Sequence, residues 1–279
     1  MNDAKNRVAA IQMASSPNVD ANLLETEKLI DEAAEAGAQL IVLPENFAFM
    51  GNSDLDLCEI AEQDGEGPLQ DFLSKMAKRH GIWLVGGTIP IAAEDKAKVR
   101  AACLIFDDQG NRIGRYDKIH LFDVSVPQSD EKYEESSAIE PGNQVVAVDT
   151  PVGRLGITIC YDLRFPELYR NLIDNRVEIF CLPAAFTALT GKAHWTTLVR
   201  ARAIENLAFF IAAAQGGFHK SGRETYGHSM IVDPWGSVLA QASSGAGFIT
   251  AEIDRKCLST TRQSFPALDH RSLGCRSSI

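Results

Sequence analysis

Short runs of apolar residues, many of them β-branched, recur along the whole chain and constrain its fold more than any other feature. Glycine, proline and aspartate bound these runs, which is typical of buried β-strands. The runs are Val8–Met13, Leu40–Leu43, Ile82–Ile89, Ala101–Phe106, Val145–Val148, Leu155–Cys160, Val177–Leu182, Ala208–Ala214, His228–Val232 and Gly247–Ile253. Two of them, Leu40–Leu43 and Val177–Leu182, lack apolar–polar alternation, which indicates strands covered on both faces.

Four stretches between these runs predict helices. They are Asp20–Ala36, Pro68–Arg79, Pro166–Ile173 and Ala193–Leu207. In the first, Asp20 is predicted to be the N-cap and Gly37 the stop signal. The mixture of strands and helices predicts an α/β fold with sheets buried under helices. No linker, repeat or block of like charges divides the chain, so residues 1–279 are predicted to form one domain.

Composition narrows the functional classes. The chain has 279 residues and a formal net charge of −10, which disfavours binding to nucleic acid or to an anionic membrane. No stretch approaches the roughly eighteen continuous apolar residues of a membrane span, and the first residues lack the pattern of a secretory signal. We therefore expect a soluble, cytoplasmic protein with neither nucleic acid nor membrane as partner.

The six cysteines are scattered and have no zinc-like spacing with histidine. In a reducing compartment they would remain thiols, and each would ordinarily be a small buried hydrophobic residue. They are Cys58, Cys103, Cys160, Cys181, Cys257 and Cys275. The chain also lacks phosphate-loop, dinucleotide-binding and zinc-protease motifs. We therefore predict no metal and no cofactor.

Three reactive side chains stand where strands are expected to end, the position that catalytic groups favour in α/β folds. Glu45 could act as a general base and Cys160 as a nucleophile beside backbone N–H groups. Lys118 could favour the thiolate or stabilise a developing oxyanion. Taken alone, Glu45 and Lys118 are more simply interpreted as solvated charges. The six histidines permit a Cys–His pair on paper, but no cysteine-protease signature surrounds Cys160.

Together, the sequence blocks around these residues resemble the nitrilase, or carbon–nitrogen hydrolase, superfamily. The blocks are Leu43–Phe47, Tyr116–Asp123 and Gly156–Glu167, and the likeness extends from Ala9 to about His270. The resemblance implies a four-layer α-β-β-α sandwich with a core over about residues 7–255 and a C-terminal tail to 279. It also implies assembly into homodimers or larger homo-oligomers.

The resemblance implies a mechanism as well. Glu45 would take the proton of Cys160, whose thiolate would attack an amide carbonyl, while Lys118 and the backbone N–H of Tyr161 hold the oxyanion. The nitrogen leaving group would depart, and a thioester acyl-enzyme would remain. Glu45 would then activate the water that releases the acid. Family members carry a second glutamate in the loop after the lysine block. Glu135 matches it best, and the adjacent Glu134 is the alternative.

A narrower likeness links the chain to the Nit branch of that superfamily. It rests on Pro183–Trp195 and Arg200–Asn206. Two further segments, Ala212–Gly216 and Tyr226–Gly236, are more similar to the group that hydrolyses deaminated glutathione than to the ω-amidases. That reaction yields α-ketoglutarate and Cys-Gly. Substrate contacts are predicted for Tyr161, Arg164, Phe186, Thr187 and Lys192. Because the substrate is dianionic, the cations Arg164, Lys192 and Arg202 are candidates to hold its carboxylates.

Two alternatives remain open at this point. The first is an ω-amidase, which deamidates α-ketoglutaramate, or an amidase for another small amide. The second is a catalytically silent binding protein on the same fold. The presence of Glu45, Lys118 and Cys160 together argues against the silent protein, because a binding module has no evident use for all three.

Overall fold

The computed structural model of the protein describes residues 6–127 and 131–273. Cys275, the end of the C-terminal tail and the start of the polar segment Gln128–Pro141 lie outside the described residues. The helices of the described part are α1 Val19–Glu35, α2 Pro68–His80, α3 Pro166–Asp174, α4 Ala188–Asn206 and α5 Arg255–Ser264.

The strands form two large sheets and two small hairpins. In chain order they are β1 Arg7–Gln12, β2 Leu40–Val42, β3 Trp83–Val85, β4 Ile89–Ala92, β5 Val99–Phe106, β6 Arg112–Asp117, β7 Asp123–Ser125, β8 Lys132–Glu134, β9 Ala147–Thr150, β10 Gly153–Ile157, β11 Ile179–Ala184, β12 Phe209–Ala214, β13 Gly216–Phe218, β14 Glu224–Tyr226, β15 Met230–Val232, β16 Val238–Gln241 and β17 Gly247–Glu252. The first sheet has the order β17-β1-β2-β3-β5-β4, with β6 paired to β5. The second has the order β16-β15-β12-β11-β10-β9, and the hairpins are β7-β8 and β13-β14.

The two sheets pack face to face with helices on their outer faces. Along β1, Val8 and Ala10 join the core shared with the second sheet, whereas Ala9 and Ile11 pack with the residues of α1 and α2. This alternation follows from the two-residue repeat of a strand. On the far side, Tyr169 of α3 packs against Phe180, with their ring centroids 5.0 Å apart. The predicted four-layer α-β-β-α sandwich is confirmed.

Most predicted elements are present, with shifted ends. The predicted run Ile82–Ile89 is two strands, because the chain breaks at Gly86 and Gly87. Gly87 has a positive φ of 59°, and a Cβ there would lie 2.2 Å from the carbonyl oxygen of Pro44. The prediction of Asp20 as a helix cap was wrong: Asn18 caps α1, and its side chain accepts a hydrogen bond from the backbone N–H of Ala21 at 3.0 Å.

Strand direction brings the reactive residues together. β2 runs parallel to β1 and β3, and β10 runs parallel to β11. β6 is antiparallel to β5, which is antiparallel to β3, so β6 ends at the same edge as β2. Met13 after β1 and Gln215 after β12 form a bridge that joins this edge of the first sheet to the second. The carboxyl ends of β2, β6 and β10 therefore meet.

Candidate active site

A buried lysine connects two of the loops at this edge. The Nζ of Lys118 lies 2.8 Å from Oε1 of Glu45 and 2.6 Å from Oε1 of Glu135. All three residues are buried, and Lys118 is 1% exposed. The other carboxylate oxygen of Glu135 accepts a hydrogen bond from the backbone N–H of Phe122 at 2.6 Å. Glu134 is exposed, so Glu135 is the glutamate that the fold places beside the lysine.

The turn that carries Glu45 is held from both sheets. The side-chain amide of Gln215 donates to the carbonyl oxygen of Glu45 at 3.0 Å. The next residue, Asn46, has a positive φ of 55°, and its backbone N–H donates to Oγ1 of Thr88 at 2.8 Å. Such a conformation persists where surrounding contacts over-determine it. The Glu45 carboxylate is thus aimed by a fixed backbone.

Cys160 opens a short 3₁₀ turn rather than ending a strand. The strand predicted to reach Cys160 stops at Ile157, and Cys160 itself has a positive φ of 45°. The buried carboxylate of Asp162 stabilises the turn by accepting from the backbone N–H of Ile159 at 2.8 Å and from the hydroxyl of Tyr116 at 2.7 Å. The thiol is therefore placed rigidly at the sheet edge, with little exposure to solvent.

His120 belongs to the same network as this turn. Nδ1 of His120 lies 2.7 Å from Oδ1 of Asp162, and the His120 ring stacks on Phe165 with centroids 3.7 Å apart. The turn around Cys160 thus uses His120 as a structural neighbour of Asp162. These contacts give His120 a structural role in that turn.

Electrostatics around Cys160 favour the neutral thiol in the free protein. Burial and then the charge of Glu45 raise the pKa of the Cys160 thiol well above its usual range, against the lowering effect of Lys118 and of the Ala185 backbone N–H. Burial by itself would lower the pKa of Lys118, but Glu135, Glu45 and Cys160 raise it well above its usual value, so the lysine stays charged. A neutral thiol next to a carboxylate and a fixed cation can pass its proton to the carboxylate when an electrophile arrives.

Comparison with known proteins identifies the family of this chain. The carbon-nitrogen hydrolase family model matches residues 7–263. The chain belongs to the carbon-nitrogen hydrolase family. It is similar to the deaminated glutathione amidase of Yersinia enterocolitica, at 42% identity over 94% of this chain and 92% of that protein. It is similar to the protein of the same name from Synechocystis sp., at 45% identity over 94% of this chain and 97% of that one.

A solved structure supports the same family assignment. Saccharomyces cerevisiae Nit3, described as a member of branch 10 of the nitrilase superfamily, superposes with a TM-score of 0.87. The two chains are 33% identical, and the match covers 96% of this chain and 97% of that one.

None of the helices over residues 6–127 and 131–273 is long and apolar enough to cross a membrane.

Cys160 of this hydrolase lies between two small pockets that share Phe122. We name the first the apolar pocket; its other lining residues are Tyr161, Arg164, Ala185, Phe186, Thr187 and Thr190. We name the second the polar pocket; its other lining residues are Glu45, Asn46, Asp54, Lys118, Tyr133, Glu135 and Arg223. Through Asn46, Asp54, Tyr133 and Arg223 the polar pocket continues into a wider outer pocket of about 550 Å³.

The predicted substrate contacts divide into two groups. Tyr161, Arg164, Phe186 and Thr187 line the apolar pocket beside Cys160. Lys192 does not: it is exposed on α4 and lines neither of the two pockets, because helical rotation carries it away from the pocket edge at Thr187 and Thr190.

The candidate cation Arg202 lies elsewhere in this hydrolase. It is buried under α4, where its Nε donates to the carbonyl oxygen of Leu163 at 3.0 Å and its Nη1 pairs with Glu205 at 2.9 Å. Its guanidinium therefore supports the packing of α4. Arg223, by contrast, was missed by sequence reasoning, because it stands in a short polar turn with no pattern that marks a site.

Proposed function

We propose that this protein is an amidase that hydrolyses the C–N bond of a small carboxylate-bearing amide through a thioester on Cys160. The observation that carries the proposal is the buried contact of Cys160, Glu45 and Lys118, with Glu135 on the other side of the lysine ammonium. As substrate we propose deaminated glutathione, which yields α-ketoglutarate and Cys-Gly. The names of the two bacterial relatives support this choice.

In the first half-reaction, Glu45 removes the thiol proton while the sulfur attacks the amide carbonyl carbon. Lys118 and the backbone N–H of Tyr161 hold the negative oxygen of the tetrahedral intermediate. Glu45 then gives its proton to the amide nitrogen, and the C–N bond breaks. The leaving amine departs and a thioester remains on Cys160.

In the second half-reaction, Glu45 takes a proton from water, whose oxygen attacks the thioester carbonyl. The carbon–sulfur bond breaks, the carboxylic acid leaves, and Cys160 regains its proton. Glu135 takes no proton in either half. Its contacts with Lys118 and with the Phe122 backbone give it the role of orienting the ammonium.

A substrate panel tests the activity and its substrate together. Purified protein is given deaminated glutathione or α-ketoglutaramate, and release of α-ketoglutarate is measured. We expect faster release from deaminated glutathione. A much higher rate with α-ketoglutaramate would assign the protein to the ω-amidases instead.

The nucleophile is tested with a matched pair of variants. Cys160→Ala should abolish release of α-ketoglutarate, whereas Cys257→Ala, at an exposed cysteine on α5, should leave it unchanged. Retained hydrolysis in Cys160→Ala would remove Cys160 from the mechanism. No turnover of any amide would indicate a silent binding protein.

The remaining organisation of the protein is also part of the proposal. We propose one domain over residues 1–279, because both sheets contribute to a single core. We propose a homo-oligomer, supported by the exposed rings of Trp235 and Phe265, whose centroids lie 5.5 Å apart. Light scattering of the purified protein and of Trp235→Ser tests this assembly. We also propose a cytoplasmic location, where reducing conditions would keep Cys160 as a thiol. Cell fractionation tests this location.

A further inference from the structure

Arg223 occupies the junction between the polar pocket and the outer pocket. It lies in the turn between β13 and β14, and the turn is fixed by the backbone N–H of His219, which donates to the Arg223 carbonyl oxygen at 2.9 Å. The ring of His219 is itself held, with Nδ1 2.8 Å from the Ser15 carbonyl oxygen and Nε2 2.7 Å from Thr225 Oγ1. The guanidinium is therefore presented from an anchored hairpin.

One N–H group of this guanidinium donates to a protein acceptor, whereas another has no acceptor among the described residues. Nη2 donates to the Ala185 carbonyl oxygen at 2.7 Å, and the backbone N–H of the same Ala185 interacts with the Cys160 thiol. The guanidinium carbon lies 5.1 Å from the centre of the Tyr133 ring. Nε is buried and finds no hydrogen-bond partner among residues 6–127 and 131–273. A buried donor without an acceptor is costly, and an acceptor on a ligand would relieve that cost.

The position of Glu45 decides which half of the substrate reaches Arg223. In the proposed mechanism Glu45 gives its proton to the leaving nitrogen, so the leaving group lies on the Glu45 side of Cys160. Glu45 and Arg223 line the same pocket, which opens into the outer pocket. Arg164 lines the apolar pocket on the other side, where Glu45 is absent from the lining.

Building on the proposed function, we infer that Arg223 binds an anionic group, a carboxylate, on the leaving half of the substrate. A dianionic amide is then held by one arginine on each side of the scissile bond. Three acidic residues, Asp54, Glu131 and Glu134, line the outer pocket against one further cation, Lys132, so an anion that is not paired with Arg223 is disfavoured there. The site thus favours a peptide-like leaving group with a free carboxylate over a simple amide that releases ammonia.

The test compares three substrates that differ on the leaving side: deaminated glutathione, its C-terminal carboxamide, and α-ketoglutaramate. Removing a charge-assisted hydrogen bond should cost roughly 10- to 100-fold in kcat/KM. We expect Arg223→Gln to lose this factor with deaminated glutathione and to change less than about 3-fold with the other two. Wild-type protein should lose the same factor on passing from the carboxylate to the carboxamide, a comparison that needs no variant to fold.

Lys220→Gln is the matched control, because Lys220 is an exposed cation of the same hairpin that lines neither the polar nor the outer pocket. It should leave all three values unchanged. Equal losses with all three substrates in Arg223→Gln would mean that Arg223 acts on Cys160 through Ala185, and the assignment would be overturned. Equal wild-type rates with carboxylate and carboxamide would overturn it too. If wild-type protein cleaves none of the three, the proposed function fails and this assignment fails with it.

Discussion

The ammonium of Lys118 lies 2.8 Å from the carboxylate of Glu45, a residue 73 positions earlier in the chain. The same nitrogen contacts Glu135 at 2.6 Å, so one buried cation faces two buried carboxylates. Burial of charges is tolerated when they are paired at good geometry, and removal of one partner leaves the other uncompensated. This group therefore links the stability of the protein to its proposed chemistry.

Lys118→Met should impair both properties. We expect kcat to fall roughly 10²- to 10³-fold, as for loss of one oxyanion donor. We expect the free energy of unfolding to fall by about 3–5 kcal/mol, because Glu45 and Glu135 lose their buried partner. Urea denaturation and steady-state kinetics measure the two effects. Adding Glu135→Gln should recover part of the stability and none of the activity; recovered activity would contradict the role of Lys118.

The pH dependence of that variant follows from Glu135. Burial, followed by the charge of Glu45, raises the pKa of Glu135 against the lowering effect of Lys118. Without Lys118 the pKa of Glu135 rises further. Near neutral pH the folded protein then holds a proton on Glu135 that the unfolded chain has already released. A carboxyl group whose pKa is raised on folding stabilises the folded protein at low pH, and this contribution to the free energy of unfolding is lost as the pH rises. The loss of stability of Lys118→Met relative to wild type should therefore be larger at pH 8 than at pH 5. Paired denaturation curves of the two proteins at each pH measure this difference.

Glu45→Gln should separate thiol reactivity from catalysis. The charge of Glu45 is, after burial, the main cause of the raised pKa of Cys160, so its removal lowers that pKa. Alkylation of Cys160 by iodoacetamide at pH 8 should become faster, measured by mass spectrometry. Amide hydrolysis should fall roughly 10²- to 10⁴-fold, because the general base is lost. A parallel loss of alkylation and hydrolysis would show that Glu45 activates the thiol before substrate binds.

Asp162→Asn should loosen the turn that positions Cys160. Oδ2 of Asp162 accepts from the Ile159 backbone and from Tyr116, and Oδ1 accepts from the backbone N–H of His120, so an amide with one acceptor oxygen must lose the bonds on one side. We expect unfolding to become easier by about 2–4 kcal/mol, since these buried bonds are charge-assisted. Tyr116→Phe is the control, because it removes a single donor and should cost about 1 kcal/mol. Equal losses in the two variants would argue against Asp162 as the centre of the turn.

Gln215→Met tests the support of the Glu45 backbone. Gln215 donates to the carbonyl oxygen of Glu45 and accepts from the backbone N–H of Ser15 at 3.0 Å. Methionine fills a similar volume but leaves both backbone groups without a partner, which should cost roughly 2 kcal/mol or more. We expect kcat to fall with little change in KM. Ser15→Ala keeps the bond to Glu45 and should therefore leave kcat much closer to wild type.

Local sequence pattern determined the framework of this protein. The uninterrupted apolar run at Leu40–Leu43 predicted a strand buried on both faces, and β2 is buried throughout. The stretch Pro68–Arg79 predicted a helix, and α2 matches its bounds almost to the residue. Such elements follow from sequence because their propensities, caps and apolar faces act between neighbours in the chain. The blocks around Glu45, Lys118 and Cys160 likewise carried the family resemblance, because each block is local in sequence.

Only the tertiary structure decided which side chains share the site. Glu134 and Glu135 are adjacent in sequence, and backbone direction alone turns Glu135 toward Lys118 and Glu134 toward solvent. Lys192, predicted at the pocket, faces solvent, whereas Arg223 reaches the pocket from a polar turn 63 residues after Cys160. These outcomes depend on how two sheets join and where a hairpin folds back. Contacts between distant segments set them, and those contacts leave no periodic signal in the sequence.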